Sequence, residues 1–122
     1  MKEISKNETE VIVYHNPRCS KSRCVIQLLK KKKIKFSVVK YLQETPTEAE
    51  LKKVLMKLNL KPFDIIRQKE KYFQERLLGL KLKDNEWIKV MIQNPELIER
   101  PIIVKGNKAV IGRPAEKVFE LF

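Results

Sequence analysis

The chain is 122 residues long, with 27 lysines and arginines against 15 aspartates and glutamates, a formal net charge of +12 and 43% hydrophobic residues. That length suits one ordinary domain, the apolar content argues against global disorder, and no apolar run approaches the roughly 20 residues that a membrane span needs. The charge is unevenly placed: residues 11–43 hold nine basic side chains and no acid. The only histidine, His15, and both cysteines, Cys19 and Cys24, lie in that same stretch.

A basic surplus of this size raises the question of nucleic-acid binding. The surplus is mainly lysine, however, whereas readers of phosphate and base edges lean on arginine, and no aromatic residue interrupts the run Lys30–Lys33. No nucleic-acid partner is therefore expected, and the run reads as a solvated helix end. Residues 1–10, MKEISKNETE, lack the apolar stretch of a secretion signal and read as a flexible N-terminal extension of a single domain spanning 1–122. A cytoplasmic location without membrane association is expected, and two cysteines in a reducing compartment are better read as thiols than as a structural disulfide.

In chain order, Val11–Tyr14 is a short apolar strand closed by Asn16-Pro17. From Ser20 to Lys33 the residues Cys24, Val25, Leu28 and Leu29 fall on one helical stripe, and the four terminal lysines suit the negative pole of that helix. Ile34–Tyr41 is rich in β-branched and aromatic residues, hence a second strand. Thr47-Glu48-Ala49-Glu50 is a capping box that opens a helix burying Leu51, Val54, Leu55 and Leu58. A short helical piece over Pro62–Arg67 and a helix over Asn85–Gln93, stopped before Pro95, follow. Ile102–Val104 and Ala109–Ile111 are strands joined through the hairpin pair Gly106-Asn107, and Pro114 sits in the first turn of a last helix running to Phe122. The order β-α-β, helical insert, β-β-α predicts an α/β protein: a thioredoxin-like mixed four-stranded sheet flanked by helices, with a helical insertion.

Cys19 falls between the first strand and the first helix. A thiol there meets unpaired backbone N–H groups and the positive end of the helix dipole, and both favour the thiolate. Arg18, Lys21 and Arg23 add positive charge, and His15 stands close enough in sequence to pair with the sulfur. Cys19 is thus the candidate nucleophile. Cys24 shares the apolar stripe with Leu28 and reads as a core residue, since a Cys19–Cys24 disulfide would require the first helical turn to unwind. Two cysteines spaced C-x₄-C with one preceding histidine do not match zinc-ligand spacings, so no metal is expected. Arg67, Arg100 and Arg113 stand out because arginine is scarce here and its planar fork suits an oxyanion, while for any one of them taken alone surface salt bridging is the favoured reading.

The blocks Tyr14-His15-Asn16-Pro17-Arg18-Cys19-Ser20-Lys21-Ser22-Arg23, Glu99-Arg100-Pro101-Ile102-Ile103-Val104 and Gly112-Arg113-Pro114-Ala115-Glu116 together resemble the glutaredoxin-coupled arsenate reductase (ArsC) family, over nearly the whole chain. The related Spx regulators usually carry Cys-x-x-Cys at the first block, whereas position 22 here is Ser22, which points to the reductase branch. The resemblance implies a cis bond before Pro101, with Cys19 as nucleophile and His15 lowering its pKa. It also implies that Arg67, Arg100 and Arg113 bind and orient the oxyanion. Ser22, Arg23 and Cys24 are auxiliary candidates, Cys24 lying outside the family pattern. Arsenate is the implied substrate, glutathione the co-substrate and glutaredoxin the partner, with no bound cofactor and a monomeric state. A general glutathione-linked thiol–disulfide oxidoreductase and an Spx-like RNA polymerase-binding regulator are the alternatives.

Overall fold

The computed structural model describes residues 10–122, so the predicted N-terminal extension lies outside the described residues except for Glu10, whose carboxylate accepts a hydrogen bond from Ser37 Oγ at 2.9 Å. The chain divides into two compact units, one running to Glu44 and resuming at Arg100–Phe122, the other Thr45–Glu99.

The first unit holds a four-stranded sheet of β1 (Val11–Tyr14), β2 (Ser37–Val39), β3 (Ile102–Lys105) and β4 (Lys108–Ile111) in the order β2-β1-β3-β4. β1 and β2 are parallel, as the connecting helix α1 (Ser20–Lys31) requires, while β1–β3 and β3–β4 are antiparallel. This is the mixed, thioredoxin-like sheet expected from the sequence. Val11 and Val13 of β1, Val25 and Leu29 of α1, Ile103 of β3, and Val118 and Leu121 of the closing 3₁₀ helix (Ala115–Leu121) form one buried cluster. The three- and four-residue spacings on the helices and the two-residue spacing on β1 make that cluster possible. Gly106, at φ +62°, and Asn107 make the tight connection between β3 and β4.

Two local expectations change. The second strand is three residues long rather than the eight of Ile34–Tyr41, because β1 offers pairing only for Ser37, Val38 and Val39. Ile34 and Phe36 instead turn onto the core cluster, and the chain folds back at Lys40, whose carbonyl accepts the Gln43 and Glu44 N–H groups. The last helix is 3₁₀ and begins one residue after Pro114, which caps it. The Arg100–Pro101 bond is cis, and so is Arg113–Pro114, which nothing in the sequence singled out.

The second unit is the helical insertion. α2 (Glu48–Leu58) opens with the complete capping box: Thr47 Oγ1 accepts the Glu50 N–H, and the Glu50 carboxylate accepts the Thr47 N–H at 2.8 Å. It ends on Asn59 in the left-handed conformation. The predicted piece at Pro62 is a 3₁₀ turn, Pro62–Ile65, and α3 spans Asp84–Gln93. Between them lies a π-helical turn, Phe73–Leu77, that sequence reading passed over. Its buried residues are Phe73 and Leu77, and Phe73 packs with Phe63 and Trp87 in an aromatic cluster with ring centroids 5.1 to 6.3 Å apart. The unit is closed by an antiparallel bridge between Ile66 and Ile98, reinforced by Glu99 N–H to Ile65 carbonyl at 2.8 Å. Among the described residues, no helix is long and apolar enough to cross a membrane.

Gly112, just after β4, has no room for a side chain. A Cβ there would stand 2.7 Å from Val25 Cγ2 and 2.9 Å from Ile103 Cδ1, both in the buried cluster. Gly112→Ala should therefore destabilise the fold by about 1–3 kcal/mol, read as a lower denaturant midpoint with an unchanged slope. An unchanged midpoint would show that the cluster can yield.

Candidate active site

Register gathers the candidate residues of the sheet unit. Tyr14, the last residue of β1, pairs with Ile102, the first of β3, and Ile102 pairs with Ile111, the last of β4. The loop after β1, the residues before β3 and those after β4 must therefore emerge at one end of the sheet. These carry His15 to Cys19, Arg100-Pro101 and Gly112-Arg113 respectively.

Cys19 is the N-cap of α1, in extended conformation and 9% exposed. Its N–H donates to the Asn16 carbonyl at 3.0 Å, and its own carbonyl accepts the Arg23 N–H at 3.0 Å, which starts the helix. The first turn of α1 contains no acid. Burial by itself would raise the Cys19 thiol. The Arg100 guanidinium and the Ser22 and Lys21 N–H groups outweigh that effect and hold the thiol below its ordinary value. Those N–H groups lie in the first turn of α1, where the positive end of the helix dipole also favours the anion. Arg113 completes the set: Nη2 donates to Cys19 Sγ at 3.6 Å, while Nε is anchored on the Arg100 carbonyl at 2.7 Å.

His15 is buried, and its imidazole does not make the expected pairing with the sulfur; Nδ1 lies 2.7 Å from Ser22 Oγ. Burial, followed by the positive charges of Lys40 and Arg23, holds its pKa below the ordinary histidine value, so the ring is neutral at pH 7. Ser22, which reads on the sequence as a marker of the reductase branch, is fully buried and also accepts the Asn16 N–H at 3.0 Å. Arg23 donates from Nη1 to the Pro17 carbonyl at 2.8 Å, tying the loop to the helix instead of facing the sulfur through its head group.

Cys24 departs from its expected place. It is exposed, not core, because the buried face of α1 runs through Ser22, Val25 and Leu29, and Cys24 stands next to that face rather than on it. A polar serine thus takes the inward position that the apolar pattern gave to cysteine. Cys24 lines an open groove of about 420 Å³ with Lys21, Leu28, Lys31 and Pro114. Both cysteines are free thiols.

Arg67 belongs to the insertion unit. Its guanidinium bonds Glu70 (Nε to Oε2, 3.2 Å) and Glu99 (Nη1 to Oε1, 3.4 Å), and its N–H donates to the Leu97 carbonyl at 2.7 Å. Within the sheet unit, the arginines that act on Cys19 are Arg100 and Arg113. Among the described residues, no group of three or more His, Cys, Asp or Glu could hold a metal ion.

A depressed thiol at the strand-to-helix turn of a thioredoxin-like sheet, faced by two arginines, is the candidate reactive centre. The sequence profile of the ArsC family matches residues 14–121, and the chain belongs to that family. An arsenate reductase of Neisseria meningitidis (strain Z2491) is 39% identical over 113 residues, covering 89% of this chain and 95% of that protein. Escherichia coli K12 YfgD, which has no assigned function, is 42% identical over 114 residues, covering 92% and 96% respectively. The solved structure of an arsenate reductase from Vibrio cholerae superimposes with a TM-score of 0.89 at 41% identity, covering 95% of this chain and all of that one.

With Arg100 and the helix N–H groups favouring the anion, Cys19 should alkylate as a thiolate at pH values where an unstructured cysteine peptide is still protonated. Arg100→Ala should shift the midpoint upward. Mass spectrometry of iodoacetamide-treated Cys24→Ala protein across pH reads this directly, and a midpoint equal to the peptide's would contradict the assignment.

Proposed function

We propose that this protein reduces arsenate to arsenite, with Cys19 as the nucleophile and glutathione and glutaredoxin as the source of electrons. The observation that carries the reading is the guanidinium of Arg113 at 3.6 Å from a Cys19 sulfur whose thiol Arg100 also depresses. The same groups that stabilise a thiolate in the resting state present a tetrahedral dianion with two planar donors. Membership of the ArsC family and similarity to proteins named arsenate reductase support arsenate as the substrate.

The steps follow from that arrangement. The Cys19 thiolate attacks arsenic, forming a sulfur–arsenic bond as hydroxide or water leaves. Arg100 and Arg113 offset the charge that builds on the remaining oxygens. Glutathione thiolate then attacks the adduct: a sulfur–sulfur bond forms and the sulfur–arsenic bond breaks, its electron pair staying on arsenic. Arsenite leaves, and Cys19 remains as a mixed disulfide with glutathione. Glutaredoxin takes over that glutathionyl group by thiol–disulfide exchange and frees the thiolate. Because both cysteines are free and the cycle starts from a thiolate, a reducing compartment such as the cytoplasm suits this chemistry.

Arsenate-dependent oxidation of NADPH, coupled through glutathione, glutaredoxin and glutathione reductase, tests the proposal. Cys19→Ser should abolish it, and Arg100→Ala or Arg113→Ala should lower turnover by roughly a hundredfold, the scale for losing one oxyanion donor. Activity with a glutathione mixed disulfide but none with arsenate would instead favour a general thiol oxidoreductase.

Arg67→Ala separates two roles for that residue. An oxyanion-binding role, as the family resemblance implies, raises the KM for arsenate. A role confined to the ion pairs with Glu70 and Glu99 lowers the melting temperature and leaves the KM unchanged.

A further inference from the structure

Ser22 occupies an unusual position for a polar residue. It lies in the first turn of α1, is 0% exposed, and shares the inward face with Val25 and Leu29. A hydroxyl kept from water must find its partners inside the protein, and here both belong to the loop that leads to Cys19. Ser22 Oγ accepts the Asn16 N–H at 3.0 Å and lies 2.7 Å from His15 Nδ1. Asn16 in turn accepts the Cys19 N–H through its carbonyl and the Arg18 N–H through Oδ1. One side chain thus fastens the whole turn from His15 to Cys19 onto the helix whose N-terminus faces the sulfur.

The hydrogen-bond inventory also fixes the proton. The Ser22 hydroxyl has one hydrogen to donate, and Asn16 N–H already uses one of its lone pairs. If His15 Nδ1 carried the imidazole proton, the serine hydrogen would point at a second acceptor, and no hydrogen bond donated by Ser22 to any other group is seen among the described residues. Donation from Ser22 to Nδ1 uses the serine hydrogen and both of its known partners, and leaves the imidazole proton on Nε2. A depressed imidazole agrees with this: burial first, then the cationic Lys40 and Arg23, disfavour the charged ring.

We propose that Ser22 is a positioning residue for Cys19: its hydroxyl donates to His15 Nδ1 and accepts from Asn16 N–H, holding the His15–Cys19 turn so that the sulfur stays over the first turn of α1 and beside Arg100 and Arg113. Ser22 touches no substrate in this role. It acts through the placement of Cys19, and its own N–H is one of the two that favour the sulfur anion. The inference rests on Cys19 being the reactive thiol of the proposed function, but it concerns the resting protein and is testable without arsenate.

The test uses the full chain carrying Cys24→Ala, so that Cys19 alone titrates. Long-range ¹H–¹⁵N spectra at neutral pH read the His15 tautomer, and pH-dependent alkylation reads the Cys19 midpoint. The protein should show a single tautomer with the proton on Nε2. In Ser22→Ala the tautomer should become mixed and the Cys19 midpoint should rise by about one pH unit, a tenfold loss of thiolate at a fixed lower pH. Ser22→Thr, which keeps the hydroxyl, should restore both readings. A proton on Nδ1 in the Ser22 protein overturns the proposal, and that reading holds even where Ser22→Ala fails to fold. An unmoved Cys19 midpoint in a folded Ser22→Ala protein overturns it as well. Arsenate turnover enters neither reading, so failure of the proposed reaction and failure of this inference are separate results.

Discussion

The pairing of Tyr14 with Ile102, and of Ile102 with Ile111, is the constraint on which the site depends. Three separate stretches of chain become neighbours only because β1 ends where β3 begins and β4 ends. A shift of one residue in either pairing would turn every side chain of the strand to the opposite face. It would also withdraw Arg100 or Arg113 from Cys19. The buried cluster of Val11, Val13, Val25, Leu29, Ile103, Val118 and Leu121 opposes such a shift of β1, whose inward residues Val11 and Val13 alternate with half-buried ones. Packing and placement of reactive groups are therefore the same requirement at this end of the sheet. Gly112 belongs to both, since its missing side chain lets β4 lie against Val25 and Ile103 before the chain turns to present Arg113.

Keeping a sulfur anion largely out of water is unfavourable unless fixed charges replace the lost solvation. The protein supplies these from three directions: the N–H groups of the first turn of α1, the Arg100 guanidinium, and Arg113 held by the Arg100 carbonyl. Arginine suits this better than lysine because its fork can be anchored through one nitrogen while another faces the sulfur, as Arg113 does. The large lysine surplus contributes little by comparison. Lys30 and Lys31 lie in the last turn of α1, against its negative end and far along the helix from Cys19. The net charge of +12 first suggests a polyanion partner, yet the charges that act on the candidate chemistry are two arginines.

Ser22 and Cys24 exchange the roles that periodicity gives them. A stripe drawn through Cys24, Val25, Leu28 and Leu29 is reasonable for an amphipathic helix, but the true inward face is displaced toward Ser22. The displacement is intelligible once the partners are known. His15 Nδ1 and the Asn16 N–H both need a hydrogen-bonding group beneath the turn, and position 22 supplies it. A cysteine at that position would offer a far weaker donor. Hydrophobic patterning misplaces a polar residue when a loop outside the pattern supplies its partners.

The sequence by itself determined the order of elements, the parallel first pair and late hairpin, the capping box at Thr47, and the place of Cys19 at the start of a helix. Each of these follows from short-range physics: apolar periodicity, turn residues, and the unpaired N–H groups of a helix N-terminus. The π-helical turn Phe73–Leu77 escaped because its burial depends on Phe63 and Trp87, which lie well away in sequence. The three-residue extent of β2 was likewise set by its partner strand and not by its own residues. At the site, the sequence marked the arginines but could not say which of them meet the thiol. Only the tertiary structure decided that Arg113 reaches the sulfur, that Arg67 pairs with Glu70 and Glu99, and that His15 answers to Ser22. Those contacts join residues whose separation along the chain carries no information about distance, and strand register with core packing brings them together.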